Sequence, residues 1–381
     1  MPVADYFKAT VQKAFLEKVS DIHIEPLAEG GVLRFRIDGV LHKIEALDSS
    51  FFVSLIAHIK VLADLNVSEK RLPQDGRIVM ELASEALDLR VSTLPSSRGE
   101  CVSIRLLDKG DFLWKTAALG LPEAIAEDIQ KLIHLSSGLV VLSGPTGSGK
   151  TTTIYSLLSQ LNSQESHKIL TIEDPVEYSL EGIQQVSVQK DIGLDFANCL
   201  RSFLRQDPNI LFVGEVRDAE TARIAIHAAL TGHLVFTTVH TQDSISVVHR
   251  LLHLGIDPFL ISASLRGVLA QRLLRKLCPV CKTLAKIAPE DLEAIGLKGA
   301  CLYEAAACPS CSNMGFKGRF AIFEWLAMDS TLKDLINERA SHYRFKQYLE
   351  LSAFKTLQEE AKSALSLGKT SLSEVLKHLQ L

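Results

Sequence analysis

The sequence predicts an α/β protein in which a small α+β domain precedes a larger domain with a parallel sheet between helices. In residues 1–107, short strand-like runs alternate with helices in a pattern typical of an antiparallel sheet. The second domain is predicted to span 119–381: apolar strands alternate with amphipathic helices up to about residue 245, which favours a parallel sheet covered on both faces. Beyond about residue 245 the chain is predicted to be mostly helical, interrupted by the cysteine segment. A polar, glycine-marked segment, 108–118, is predicted to link the two domains.

Length and composition exclude several classes of protein. The 381 residues suffice for two hydrophobic cores, and 47% hydrophobic with 23% charged residues is usual for globular proteins. A net charge of -4 gives no electrostatic sign of a nucleic-acid partner. No apolar run approaches the roughly 18 residues of a membrane span, and the N-terminus lacks a signal-peptide pattern. Seven unevenly placed cysteines do not form a disulfide framework, so we expect a cytoplasmic protein.

The clearest element of the N-terminal domain is a hairpin. Two strand-like stretches meet at Asp38–Gly39 in GVLRFRIDGVLHKIEAL, and an Asp-Gly pair is a strong hairpin signal. A helical stretch and three more strand-like runs follow, namely SLIAHIKVLADL, GRIVMEL, ALDLRVSTLP and CVSIRLL.

The strongest motif is a glycine-rich turn between the apolar run GLVVLS and the helical run TTTIYSLLSQLN. It matches G-x-x-x-x-G-K-[ST], in which glycines let backbone N–H groups face phosphate oxygens. Lys150 supplies a charge between the β- and γ-phosphates, and the Thr151 hydroxyl is a Mg²⁺ ligand. We therefore predict an ATP-binding loop formed by Gly144, Pro145, Thr146, Gly147, Ser148, Gly149, Lys150, Thr151 and Thr152.

Two other predicted strands end in acidic residues. Ile210–Val213 leads through one glycine to Glu215, where an aspartate directly after the apolar run is more usual, and Glu215 can accept from Mg²⁺-bound water. The run ILTIEDPVEY places Glu173, Asp174 and Glu177 at the end of another strand. One of these three acids is a candidate general base that orients water, and the spacing does not say which.

Histidines flank one further strand, in TGHLVFTTVHT. Seven residues at ~3.3 Å each place His233 and His240 roughly 23 Å apart, so both cannot contact one γ-phosphate. If this strand runs parallel to the loop-bearing strand, His240 lies at the nucleotide edge. His233 then belongs elsewhere, for example at a subunit contact.

Five arginines are candidates for neutralising phosphate charge, a role that a neighbouring subunit's arginine often fills. Taken singly, each arginine is more often a surface salt-bridge partner. Two lie four residues apart on one predicted helical face, one follows Glu215, and two lie on N-terminal strands: Arg201 and Arg205, then Arg217, then Arg77 and Arg90.

Two C-x-x-C pairs, CPVC and CPSC, are separated by 26 residues within 276–318. In a cytoplasmic chain, such pairs predict a tetrahedral zinc site rather than a redox pair. Four thiolates leave no open position for water, so we assign the zinc a structural role. The predicted ligands are Cys278, Cys281, Cys308 and Cys311. The segment that follows, 319–381, is predicted to be helical.

Taken together, the ordered motifs resemble the ATPase family of type II secretion and type IV pilus assembly. The match covers nearly the whole chain. It begins with SDIHIEP, RFRIDGVL, EKRLPQDGRI and LRVSTLPSSRGE, and continues through the phosphate loop, TIEDPVEY, LRQDPNILFVGEVRD and TGHLVFTTVHT. It ends with LAQRLLRKLCPVC and GFKGRFAIFEWL.

The resemblance implies a homohexameric motor with a RecA-like ATPase domain that uses ATP, Mg²⁺ and structural zinc. It implies a peripheral location at the cytoplasmic side of the inner membrane, a platform protein as partner and no nucleic acid. By motif position, Glu177 resembles the family's catalytic glutamate and Glu215 its Walker B acid. Glu173 and Lys150 join them as catalytic candidates. The five arginines resemble interdomain and intersubunit arginines.

Type II secretion is the favoured interpretation, with pilus assembly and DNA-uptake pseudopilus assembly as close alternatives. The cysteine segment argues against pilus retraction, because retraction ATPases typically lack it. A nucleic-acid translocase is a more distant alternative, since RecA-like cores also serve that function. Family members usually carry a further N-terminal domain that docks onto a membrane partner, whereas this chain starts almost directly at SDIHIEP. Gln242 also replaces the more frequent asparagine.

Overall fold

In the described parts of the chain, two large sheets organise two units, Met1–Leu113 and Trp114–Leu381. The computed structural model describes residues 1–82, 85–107, 119–163 and 165–380. The predicted linker, 108–118, lies outside the described residues. Within the described ranges, no helix combines the length and the apolar character needed to cross a membrane.

The N-terminal unit has a six-stranded sheet among its described residues, with strands in the order β3-β2-β1-β6-β5-β4 and every pair antiparallel. The predicted hairpin is confirmed, since Asp38 and Gly39 join β2 to β3 with φ of 49° and 84°. The elements are α1 (Val3–Leu16), β1 (Asp21–Pro26), β2 (Gly31–Ile37), β3 (Val40–Leu47), α2 (Ser49–Leu62), β4 (Gln74–Leu82), β5 (Glu85–Ser96) and β6 (Gly99–Leu107).

The C-terminal unit contains a seven-stranded sheet in its described residues. The first elements of the unit are α3 (Glu123–Ile133), β7 (Gly138–Ser143), α4 (Lys150–Asn162), β8 (Ile169–Glu173), β9 (Gln184–Ser187), α5 (Phe196–Phe203), β10 (Ile210–Val213), α6 (Ala219–Leu230) and β11 (Leu234–Val239). They are followed by α7 (Ile245–His253), α8 (Pro258–Ser264), β12 (Leu265–Leu277), β13 (Thr283–Leu284), α9 (Pro289–Ala294), β14 (Tyr303–Glu304), β15 (Phe316–Ala327), α10 (Ser330–Asn337), α11 (His342–Leu349), α12 (Leu357–Ser366) and α13 (Leu372–His378).

The sheet order is β15-β12-β7-β11-β10-β8-β9, and neighbouring strands are parallel except β15, which is antiparallel to β12. Strands β7, β8, β10 and β11 are buried along their whole length. Successive side chains of β7 enter different cores: Val140 and Leu142 pack with residues of α3 and α4, whereas Leu139 and Val141 pack with residues of α5 to α8. The predicted parallel sheet with helices on both faces is confirmed.

The prediction that the chain is mostly helical beyond about residue 245, including 319–381, is wrong for β12 and β15. Strand β15 occupies Phe316–Ala327 and pairs with β12, so the C-terminal helices begin only at Ser330. Strand β12 is buried almost continuously, because its side chains enter different cores: Val268 packs with residues of α5 to α8, and Leu269 packs with residues of α3 and α4. A strand buried on both faces lacks the alternation of apolar and polar residues that identifies strands in a sequence.

Candidate nucleotide-binding site

The glycine-rich loop connects the end of β7 to the start of α4, as the sequence predicts. A Cβ at Gly144 would lie 2.6 Å from the carbonyl oxygen of Gln271, and a Cβ at Gly149 would lie 2.8 Å from Gln271 Nε2. Both glycines also have positive φ, 149° and 87°. Glycine is therefore required at both positions, because strand β12 packs directly against the loop.

Polar groups inside the loop fit a phosphate ligand. The Lys150 ammonium donates to the carbonyls of Gly144 at 2.7 Å and Pro145 at 3.0 Å. Burial, together with the positive charge of Arg272, lowers the pKa of Lys150 to about 8. Within the described residues, the buried Ser148 Oγ has no hydrogen-bond partner. A buried cation and an unpartnered hydroxyl beside a helix N-terminus are groups that a phosphate would satisfy.

Three predicted residues meet at the carboxyl edge of the sheet. Glu215 follows β10, and its carboxylate pairs with the Arg217 guanidinium. His240 follows β11 directly, and its Nε2 lies 3.5 Å from Glu215 Oε2. The negative charge of Glu215 also acts on Lys150, partly opposing the lowering of the lysine's pKa. The hydroxyl of Thr151, in the first turn of α4, and the Glu215 carboxylate are the groups suited to holding Mg²⁺.

His233 lies at the opposite end of β11 from His240, in agreement with the spacing argument. Its Nδ1 is 3.0 Å from the carbonyl oxygen of Ala228, at the end of α6. This contact gives His233 a local structural role within the described unit.

The three acidic residues of ILTIEDPVEY, which we call the acidic box, differ in burial and in hydrogen bonding. Glu173, 4% exposed, accepts hydrogen bonds from Thr171 Oγ1 at 2.6 Å, from the Tyr155 hydroxyl and from Gln185 Nε2 at 3.2 Å. Burial raises the pKa of Glu173, and the nearby charge of Glu177 raises it further. Three donors thus hold the Glu173 carboxylate inside the protein, whereas Glu177 is only partly buried and Asp174 is exposed.

Arg201 and Arg205 are adjacent, although the helix is shorter than predicted. Helix α5 ends at Phe203, so Arg205 lies beyond it rather than on a continuous helical face. The Arg205 guanidinium donates to the Arg201 carbonyl at 3.0 Å, and Arg201 pairs with Glu220 on α6. Both arginines are exposed or partly exposed and remain candidates for a subunit contact.

Arg77 and Arg90 lie opposite each other on β4 and β5 of the N-terminal unit. The Arg77 guanidinium pairs with the buried carboxylate of Asp88. The sequence analysis missed two further arginines in the same cross-strand row. The row runs through Arg36, Asp21, Arg105, Arg90 and Arg77 on β2, β1, β6, β5 and β4.

Strand β12 contributes two polar residues to the loop that the sequence analysis also missed. Gln271 Oε1 accepts from Thr153 Oγ1 at 2.8 Å, within α4, and the buried Arg272 lies beside Gly144. The available signal was a Gln-Arg pair inside the apolar run LAQRLL.

The four cysteines converge as predicted, with sulfur atoms within 4.8 Å of one another. Individual Sγ–Sγ distances are 3.8 Å for Cys278–Cys308, 3.8 Å for Cys281–Cys311 and 3.7 Å for Cys308–Cys311. Tetrahedral zinc with Zn–S bonds of ~2.3 Å requires sulfurs about 3.8 Å apart. The backbone N–H of Gly315 donates to Cys311 Sγ at 3.2 Å, as expected around a thiolate. These residues therefore fit zinc.

Comparisons with known proteins agree with this geometry. Type II secretion system protein E of Dickeya dadantii (strain 3937) is 43% identical over 377 residues, which is 99% of this chain and 75% of the relative. Type II secretion system ATPase E of Vibrio cholerae serotype O1 (strain ATCC 39315 / El Tor Inaba N16961) is 42% identical over 379 residues, with coverage of 99% and 75%.

Solved structures share the fold. The pilus retraction motor PilT, solved with bound ADP, has a TM-score of 0.66 and 26% identity, covering 98% of this chain and 96% of its own. The Legionella pneumophila ATPase DotB has a TM-score of 0.71 and 21% identity, covering 98% and 94%, and supports the fold alone. The predicted fold, a small α+β domain followed by a RecA-like P-loop domain, is confirmed.

The family profile described as "Type II/IV secretion system protein" matches residues 1–377. Together with the identities above, this match confirms the predicted relationship: the chain is an ATPase and belongs to the type II/IV secretion system protein family.

Proposed function

We propose that this protein is an ATP-hydrolysing motor that works as a homohexamer and powers type II protein secretion. The observation that carries the proposal is the loop between β7 and α4. There, Lys150 is buried and interacts with the charge of Glu215, and the buried hydroxyl of Ser148 has no hydrogen-bond partner among the described residues. In a chain whose relatives are named type II secretion proteins, this constellation is best suited to phosphoryl transfer from ATP to water.

Each group has a role that its surroundings support. Backbone N–H groups of the loop and the Lys150 ammonium bind the triphosphate, and Mg²⁺ held by Thr151 and Glu215 neutralises phosphate charge. Glu177 orients the attacking water, while Glu173 holds the strand end through Tyr155. His240 contacts Glu215 and so lies where it can respond to the terminal phosphate.

The arginines support the oligomeric part of the proposal. Exposed guanidiniums at Arg201, Arg205 and Arg217 can neutralise charge on a nucleotide held by a neighbouring subunit. Arg77 and Arg90 present the same chemistry on the N-terminal sheet. The assembly acts at the cytoplasmic side of the inner membrane, where it associates peripherally with a platform protein. Nucleic acid is not a partner in this proposal.

Pilus assembly is the second candidate function. The likeness to a pilus retraction motor, at 26% identity, favours a pilus-type machine of some kind. The identities of 42% and 43% to type II secretion proteins favour secretion over pilus assembly, whereas the cysteine cluster argues only against retraction.

The phosphate-binding role is tested with Lys150→Ala. Removing the buried ammonium should reduce ATP turnover at least about 100-fold, because the charge that stabilises the transferring phosphoryl group is lost. Lys131→Ala is the matched control, since Lys131 lies exposed on α3 and pairs with Asp128. The measurement is steady-state phosphate release by both variants. Unchanged turnover in Lys150→Ala would refute the assignment of this loop as the phosphate-binding site.

The identity of the water-orienting acid is tested with Glu177→Gln and Glu173→Gln. Glu177→Gln should lower kcat by about 10²- to 10⁴-fold while ATP still binds, because the amide does not accept a proton from water. Glu173→Gln should mainly lower the thermal unfolding temperature, since its carboxylate is held by three donors. If Glu173→Gln instead abolishes turnover in a fully folded protein and Glu177→Gln does not, the assignment is reversed.

Zinc binding is tested with Cys278→Ser against Cys301→Ser. Loss of one thiolate should remove the metal and lower the unfolding temperature, because folding of this region is coupled to metal binding. Cys301 is an exposed thiol outside the cluster and should leave zinc content unchanged. Elemental analysis measures the zinc content of both variants, and full zinc content in Cys278→Ser would contradict the four-thiolate site.

A further inference from the structure

Arg272 is a buried cation that connects two parts of the nucleotide site. It lies on β12, its side chain is 5% exposed, and its guanidinium donates to two carbonyl oxygens. Nη1 donates to Gln271 at 2.9 Å, and Nη2 donates to Gln242 at 2.5 Å. A buried charge is costly unless it is fully bonded, so an arginine at this position points to a specific task.

One side of Arg272 faces the phosphate-binding loop. A Cβ at Gly144 would lie 3.2 Å from Arg272 Nη1, which places the guanidinium directly against the loop. The neighbouring Gln271 contacts α4 through Thr153 Oγ1 at 2.8 Å. Strand β12 therefore fixes both the start of the loop and the helix that follows it.

The other side of Arg272 faces the turn 240–244, which joins β11 to α7. Gln242 lies two residues after His240, whose ring is beside Glu215. The turn ends at Ser244, whose N–H and hydroxyl donate to the buried Glu324 carboxylate at 2.7 Å and 2.5 Å. Burial lowers the pKa of Arg272, and the negative charges of Glu324 and Asp243 oppose part of that shift.

We propose that Arg272 is a positioning residue for ATP hydrolysis: it holds the turn 240–244 against the phosphate-binding loop and so keeps His240 beside Glu215. This inference rests on the proposed function. The planar guanidinium bonds the carbonyls of Gln271 and Gln242 at once, whereas a lysine ammonium is a single point that does not span both in the same geometry.

The kinetic test compares Arg272→Gln and Arg272→Lys with wild-type protein. Arg272→Gln should lower kcat about tenfold or more, because His240 is no longer held in the reactive arrangement. KM for ATP should change less than about threefold, since the loop amides and Lys150 still bind phosphate. Arg272→Lys should have a kcat between those of Arg272→Gln and wild type. If Arg272→Gln does not fold, Arg272→Lys provides the test instead.

A second measurement is independent of turnover. In nucleotide-free full-length protein, hydrogen exchange of the amides in 241–244 should be faster in Arg272→Gln than in wild type, with Arg272→Lys intermediate. Exchange of the buried strand β10 should stay unchanged, because Arg272 does not contact it in the described structure.

Arg275→Gln is the matched control, because Arg275 is a buried arginine on the same strand that pairs with Glu374 and packs on Phe316. It should reduce the unfolding temperature while kcat and exchange of 241–244 stay near wild type. Equal losses in Arg275→Gln and Arg272→Gln, or wild-type kcat and exchange in Arg272→Gln, would overturn the inference. Wild-type protein without any ATPase activity would instead refute the proposed function, and the exchange experiment would still test the contact.

Discussion

The site depends on one constraint: backbone N–H groups able to bind a phosphate must converge where β7 meets α4. The loop between β7 and α4 meets this constraint because a helix start leaves its first N–H groups without intrahelical partners. Glycines at 144 and 149 permit the backbone conformation, and β12 closes the loop from outside. The parallel arrangement of β7, β10 and β11 then brings their carboxyl ends, and the side chains that follow them, to the same edge.

Buried polar groups connect this edge to the rest of the C-terminal unit. Glu324 on β15 accepts from Ser244 at the start of α7 and, at 3.0 Å, from the N–H of Leu357 at the start of α12. Burial raises the pKa of Glu324, and the hydrogen bonds from Ser244 and Leu357 at the two helix starts offset only part of that effect. Through Ser244, Glu324 anchors the same turn that Arg272 contacts from the loop side. The nucleotide edge and the C-terminal helices are therefore joined by short, directional bonds as well as by apolar packing.

Local chemistry made much of this predictable from sequence. The Asp38–Gly39 turn, the glycine-rich loop and the two C-x-x-C pairs each depend on a few neighbouring residues. Long-range pairing made the rest unpredictable: β15 and the polar role of Arg272 depend on partners far along the chain, and Glu324 and Ser244 are 80 residues apart. The acidic box shows the same limit, since only the structure reveals that Tyr155 and Gln185 surround Glu173.

The most direct measurement of the central claim is a crystal structure of the full chain with Mg²⁺ and a non-hydrolysable ATP analogue. The triphosphate is expected to lie against the backbone amides of 144–151. The Lys150 ammonium should then leave the carbonyls of Gly144 and Pro145 to contact phosphate oxygens. A triphosphate bound elsewhere, with Lys150 still bonded to those two carbonyls, would contradict the account.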